Sequence, residues 1–134
     1  VEAAKKAFFD LGEAAGDGMA IAASLFDGII CIGGGLMNND KFIMPGILKS
    51  MRGTVKTISG DTIGKVQSKV YNLDDDAEFA EFAKGEARQI KVYGTDKTAI
   101  YDPMKRIGVI KSKIGASKAI SIGAYTFALA QLEK

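Results

Sequence analysis

Apolar residues recur at helical spacing from the start of the chain: Ala4, Phe8 and Leu11, then Met19, Ala22, Ala23 and Phe26, with Lys5, Lys6, Asp10 and Glu13 between them. A stripe of this period predicts a helix, kinked or broken near Gly16 to Gly18. Asp27 and Gly28 end the pattern. The run Ile29 to Ile32 is short, mostly β-branched and wholly apolar, as in a strand buried on both faces of a parallel sheet. Gly33, Gly34 and Gly35 stop it. After Asn38 and Asn39, the segment KFIMPGILKSM has mixed helical spacing, with Asp40 as the expected N-cap and Pro45 and Gly46 weakening the pattern.

Beyond Gly53 the period changes. KVQSKVYN, residues 65 to 72, alternates as a half-exposed strand does, and DDDAEFAEFAKGEA predicts a helix whose apolar stripe is Phe79, Phe82 and Ala83. Asp74 to Asp76 stand at its N-terminal end, where carboxylates suit the helix dipole, so they read as a solvated cap before a metal site. Residues 89–93 and 106–111 read as strands joined by GTDKTAIYDPMK and able to pair as a hairpin with a long tip. The ending GASKAISIGAYTFALAQLEK predicts a last helix whose small residues allow close packing. Alternating helices and strands give an α/β fold in one layer-packed domain, 1–134.

Composition removes whole classes of function. The 134 residues are 47% hydrophobic and 25% charged, as in an ordinary globular domain, and 18 basic against 16 acidic residues leave a net charge of only +2. No large positive field is available to grip nucleic acid, so no direct nucleic acid contact is expected. The apolar stretches are too short and interrupted for a membrane span, and no secretory leader opens the chain. The single cysteine, Cys31, lies in the apolar run, reads as a buried inert thiol and fits a reducing cytoplasm. There is no histidine, which removes the usual general base and the commonest zinc ligand. Val1 falls inside a helical pattern, so the chain is expected to be a piece of a longer protein.

The stretch IICIGGGLMNN concentrates the candidate chemistry. Three glycines after a buried strand can take positive φ and bring their amides close to a ligand such as a phosphate or ribose. The spacing matches neither G-x-G-x-x-G nor G-x-x-x-x-G-K-[ST], so the Rossmann and P-loop readings fail. Sharp strand exits in open α/β sheets also use glycine, and the residues leave a ligand loop and a tight turn both open. Asp27, Asp40, Asp61, Asp96 and Asp102 sit in turn-like contexts and read as turn or capping residues. Lys111, Lys113 and Lys118 could approach a nucleotide phosphate, but a solvated face is the first reading.

LFDGIICIGGGLMNN, the helix before it and the proline-bearing helix after it resemble the second half of the ROK family, the sugar kinases and sugar-responsive repressors of the glucokinase and NagC type. IGASKAISIGAYTFALAQL is similar to the family's last helix, and NLDDDAEFAEFAKGEARQIKV also resembles members, so the likeness covers nearly the whole chain. It implies part of a ribonuclease H-like domain of the actin/hexokinase type, with helices on a mixed sheet. It also implies that Gly33, Gly34 and Gly35, with Leu36 after them, lie on the adenosine side of a nucleotide cleft, bordered by Gly115, Ala116 and Ser117.

The family's D-x-G-x-T phosphate loop, its catalytic aspartate, its sugar-binding residues and its cysteine-rich zinc motif have no match in the 134 residues. The resemblance therefore implies a nucleotide-side C-terminal part, without its N-terminal lobe, that cannot phosphorylate a sugar alone. It carries no catalytic or metal residue of its own. ATP or ADP with Mg belongs to the full-length protein, sugar is bound mainly by the absent part, and a cytoplasmic homo-oligomer is implied. Three functions compete. One is the nucleotide side of a ROK sugar kinase acting on a hexose or amino sugar. Another is the effector-sensing and dimerising domain of a NagC-like regulator. The third is an isolated α/β module with structural glycines. The intact Gly33-Gly34-Gly35 leans toward a competent ATP site.

Overall fold

The computed structural model describes residues 1–132. Helix α1 (Glu2–Leu25) runs unbroken through Gly16 and Gly18. Gly16, within the stretch expected to kink it, instead joins Gly12 at a crossing point with α2 (Asp40–Met51), while Gly18 stands clear of it. A Cβ built on Gly12 would lie 2.2 Å from the Ile43 carbonyl oxygen, and one on Gly16 would lie 2.6 Å from that of Ile47. Gly46 meets α1 in the same way, 2.3 Å from the Phe9 oxygen. Helix backbones this close exclude any side chain at the crossing, so the glycines serve packing. Ser50 donates to Asp17 at the far end of the crossing, and Lys65 Nζ reaches the same carboxylate at 2.5 Å.

Strand β1 (Ile29–Ile32) follows α1, and a 3-10 turn (Gly35–Asn39) leads into α2. A small hairpin, β2 (Thr54–Lys56) with β3 (Thr62–Gly64), precedes β4 (Lys69–Asn72). Residues 65–68, expected to belong to that last strand, are bends. Helix α3 (Asp76–Lys84) is capped by Asp75, whose carboxylate accepts from the amides of Ala77 at 3.0 Å and Glu78 at 2.9 Å. The acidic run is thus a cap, as its sequence suggests.

The strand candidates after α3 do not pair with each other. β5 (Arg88–Lys91) closes a hairpin with β6 (Thr98–Tyr101), a strand hidden within the expected loop. β7 (Arg106–Lys111) instead lies between β1 and β4, parallel to both. The reason is composition. β7 buries Ile107 and Val109 completely, which a solvated hairpin could not do, whereas every residue of β5 and β6 is exposed.

One face of the β1-β7-β4 sheet, carrying Val70, Ile107 and Val109, packs on Ile43, Ile47 and Met51 of α2. On the other face Tyr71 meets Phe82 of α3 edge-to-face at 5.7 Å, and Leu73 lies over Gly108. This second layer stops short of β1, an edge strand. Cys31 is accordingly exposed, not buried, and β1 is buried on one face at most. Helix α4 (Ala116–Leu132) begins where predicted, and none of its described residues is buried; positions 133 and 134 lie outside the described residues. The close packing expected of its small residues is not seen. The architecture is α/β, with a parallel three-stranded sheet and two antiparallel hairpins.

Candidate functional site

Parallel strands end on a common edge, and in open α/β sheets that carboxyl edge is where ligands sit. β1 delivers Gly33, Gly34, Gly35 and Leu36 there, and β7 delivers Ser112 and the segment leading to Gly115, Ala116 and Ser117. β4 delivers Leu73 to Asp76. The first two exits are locked side by side: the Ser112 amide donates to the Ile32 carbonyl at 2.8 Å, and a Cβ on Gly33 would lie 3.6 Å from Cβ of Ser112. Gly115 is three residues further on, within about 11 Å of Ser112 at full extension. The fold therefore brings the two glycine-bearing segments to one edge.

Local geometry suits an oxygen-rich ligand. Gly34 has φ +105° and Gly115 φ +77°, and a Cβ on either would meet nothing within 4 Å. Among the described residues the amides of Gly33 to Leu36 donate to no protein acceptor, while the Met37 amide closes the 3-10 turn on the Gly34 carbonyl at 3.2 Å. Two helices start at this edge, α2 through its 3-10 turn and α4 at Ala116. Free amides can donate to phosphate or ribose oxygens, and the positive helix ends favour phosphate charge.

The pairing of Lys111 with Asp40 was not foreseen from the sequence. Lys111, the last residue of β7, donates its amide to Asp74 Oδ2 at 2.8 Å and holds Asp40 Oδ1 at 3.1 Å through its ammonium. Lys111 is thus an ion-paired hub and not part of a solvated face. Asp40 is the first residue of α2 and not its N-cap, a position Asn39 takes without a side-chain cap. The hydrogen bond from Lys111 is the main cause holding the Asp40 carboxyl below its ordinary value of 3.8. The only sequence signal for this hub was its position: the residue that follows a buried parallel strand stands at the ligand edge.

The other acids take the turn roles expected of them. Asp102 accepts from the Met104 amide at 2.9 Å and the Glu86 amide at 3.3 Å, and pairs with Arg106 at 2.5 Å. Asp61 closes the β2–β3 turn, its carbonyl accepting from the Thr57 amide at 2.8 Å. Asp96 pairs with Lys91 at 3.5 Å beside the β5–β6 turn, and Asp27 follows the end of α1. A depression of about 480 Å³ lies between β4, α3 and the β2–β3 hairpin. Its charges are already paired, Arg52 with Glu78 at 2.5 Å and Lys69 with Glu81 at 2.6 Å. With its charged groups satisfied by one another, it is a weaker candidate than the carboxyl edge, where backbone amides lack acceptors. Among the described residues no three Cys, Asp or Glu side chains are grouped to hold a metal ion, and no helix is long and apolar enough to cross a membrane.

No protein-family model matches the chain, and no curated protein matches it. Among solved structures it is similar to a crystal structure of glucokinase from Parabacteroides distasonis ATCC 8503, with 49% sequence identity and a TM-score of 0.77. The similarity covers 96% of this chain and 34% of the glucokinase chain, so the chain spans only about one third of that protein's length.

Proposed function

We propose that the chain is the nucleotide-holding C-terminal part of a ROK-type sugar kinase, in which Gly33, Gly34, Gly35 and Leu36 line the adenosine side of the cleft and Gly115, Ala116 and Ser117 border it. The observation that carries this reading is the likeness to a glucokinase at 49% identity over nearly the whole chain. The free amides at the carboxyl edge support it. The glucokinase likeness favours a kinase over a NagC-like regulator.

When bound, ATP supplies the phosphoryl group, and Mg²⁺ neutralises charge on its phosphates. This chain's own residues bind and orient. The Gly33–Leu36 amides donate to ligand oxygens, the absence of Cβ at Gly34 and Gly115 admits the ligand against the backbone, and the helix starts favour its negative charge. The base that activates a sugar hydroxyl, the phosphate loop and the sugar contacts belong to further sequence. Helix α4 supports that division: an apolar helix with none of its described residues buried is suited to being covered by more protein. The proposal extends to a cytoplasmic homo-oligomer acting on a hexose or amino sugar.

Saturation-transfer NMR with ADP and the 134-residue chain tests the binding. Transfer to the adenine and ribose protons, suppressed by excess ATP, is the expected result. No transfer at millimolar ADP would overturn the nucleotide reading.

A further inference from the structure

We propose that Lys111 and Asp40 form a positioning pair that holds the glycine turn in its ligand-ready shape, an inference that rests on the nucleotide reading above. Lys111 and the residue after it tie three segments together at one point. Its ammonium holds Asp40 at the head of α2, 3.1 Å away, and its amide holds Asp74 just ahead of α3 at 2.8 Å. The next amide, of Ser112, holds the last carbonyl of β1 at 2.8 Å.

The Gly33–Asn39 segment therefore spans two fixed points. It leaves β1 at Ile32, tied to Ser112, and enters α2 at Asp40, tied to Lys111. Between them three successive glycines give the start of the segment wide conformational freedom, while its second half closes as the 3-10 turn Gly35–Asn39, the Met37 amide donating to the Gly34 carbonyl and the Asp40 amide to the Met37 carbonyl. The unpaired Gly33–Leu36 amides stay convergent only if the glycines and the turn after them are anchored at both ends, and the Lys111–Asp40 pair is the side-chain anchor at the downstream end. Lys111 acts through the turn and touches no ligand atom. If Lys111 bound phosphate instead, Asp40 would compete with the ligand for it, and the two models differ in the sign of one measurement.

The test uses Lys111→Met, Lys111→Arg and Asp40→Asn in the 134-residue chain, with adenosine and ADP as probes and amide hydrogen exchange measured without ligand. Positioning predicts that K111M and D40N each speed exchange at Met37 and Ser112 by about two- to fivefold, the range set by a partly exposed ion pair. Both variants should weaken adenosine and ADP by the same factor, and K111R should restore exchange and affinity. If D40N tightens ADP while K111M weakens ADP but not adenosine, Lys111 is a phosphate contact and the proposal is wrong. Unchanged exchange in both K111M and D40N overturns it as well. If the wild type binds neither probe while exchange responds as expected, the nucleotide reading fails and the anchoring of the turn stands.

Discussion

Gly46→Ala puts the α1–α2 crossing to a quantitative test. The added Cβ would lie 2.3 Å from the Phe9 oxygen, 2.9 Å from the Glu13 nitrogen and 3.1 Å from the Gly12 carbonyl carbon. All three are backbone atoms of α1 and cannot rotate aside, so the helices must part by about 1 Å to restore ordinary contact. Overpacking of this kind costs about 1–3 kcal/mol, and a gap of that size forfeits a quarter to a half of the dispersion energy of neighbouring contacts. Alanine returns about 1 kcal/mol through helix propensity. The contacts to backbone place the cost at the upper end, for a net loss of about 2 kcal/mol. At roughly 4 °C per kcal/mol this lowers Tm by about 8 °C. Gly18→Ala is the matched control, on the same helix and exposed, with nothing within 4 Å of its added Cβ. It should stabilise by about 0.5–1 kcal/mol. Thermal and urea unfolding followed by far-UV circular dichroism read both variants. A G46A protein as stable as wild type would refute close backbone contact at the crossing.

Other consequences are open to measurement. Gly85 has φ +58°, and its Cβ would lie 2.7 Å from Asp102 Oδ2; Gly85→Ala should destabilise by about 1–2 kcal/mol from the left-handed backbone alone, read by urea unfolding. Stability should be flat from about pH 5 to 9, because the chain has no histidine. Asp102 is held below its ordinary 3.8, chiefly by the Met104 amide, and Glu81 below its ordinary 4.5, chiefly by Lys69. A depressed carboxyl contributes fully above its unfolded pKa, so this stability is lost as pH falls below about 4. Lys69 is raised above 10.5, chiefly by Glu81, and its contribution is lost only as pH rises beyond that value. A Tm transition near pH 6.5 would contradict this profile. Cys31, exposed on the open face of β1, should react with a thiol reagent in the native state as fast as in the denatured chain; protection would show that face to be covered.

Local chemistry was legible in the sequence where one segment decides its own structure. The Asp75 cap of α3, the apolar run of β1 and the last helix all follow from neighbours within a turn or two. Partner choice did not. β7 could not be placed centrally, because its pairing with β1 and β4 joins residues dozens of positions apart, and a hairpin with residues 89–93 satisfied the same local pattern. Gly16 and Gly46 look like breakers until two helices are seen to cross on them and on Gly12. Gly33, Gly34 and Gly35 were singled out because three glycines after an apolar run suit a ligand loop, with a tight strand exit fitting the same residues. Lys111 was not, because its role comes from Asp40 and Asp74, which only the parallel sheet brings to it.

The central claim, that a nucleotide sits on Gly33–Leu36 beside Gly115–Ser117, is tested most directly by intermolecular NOEs between ADP and the amide-labelled chain. The account predicts NOEs from the adenine and ribose protons to the amides of Gly34, Gly35, Leu36 and Gly115. NOEs confined to the depression between Arg52 and Glu81, or to any surface away from the carboxyl edge, would contradict it.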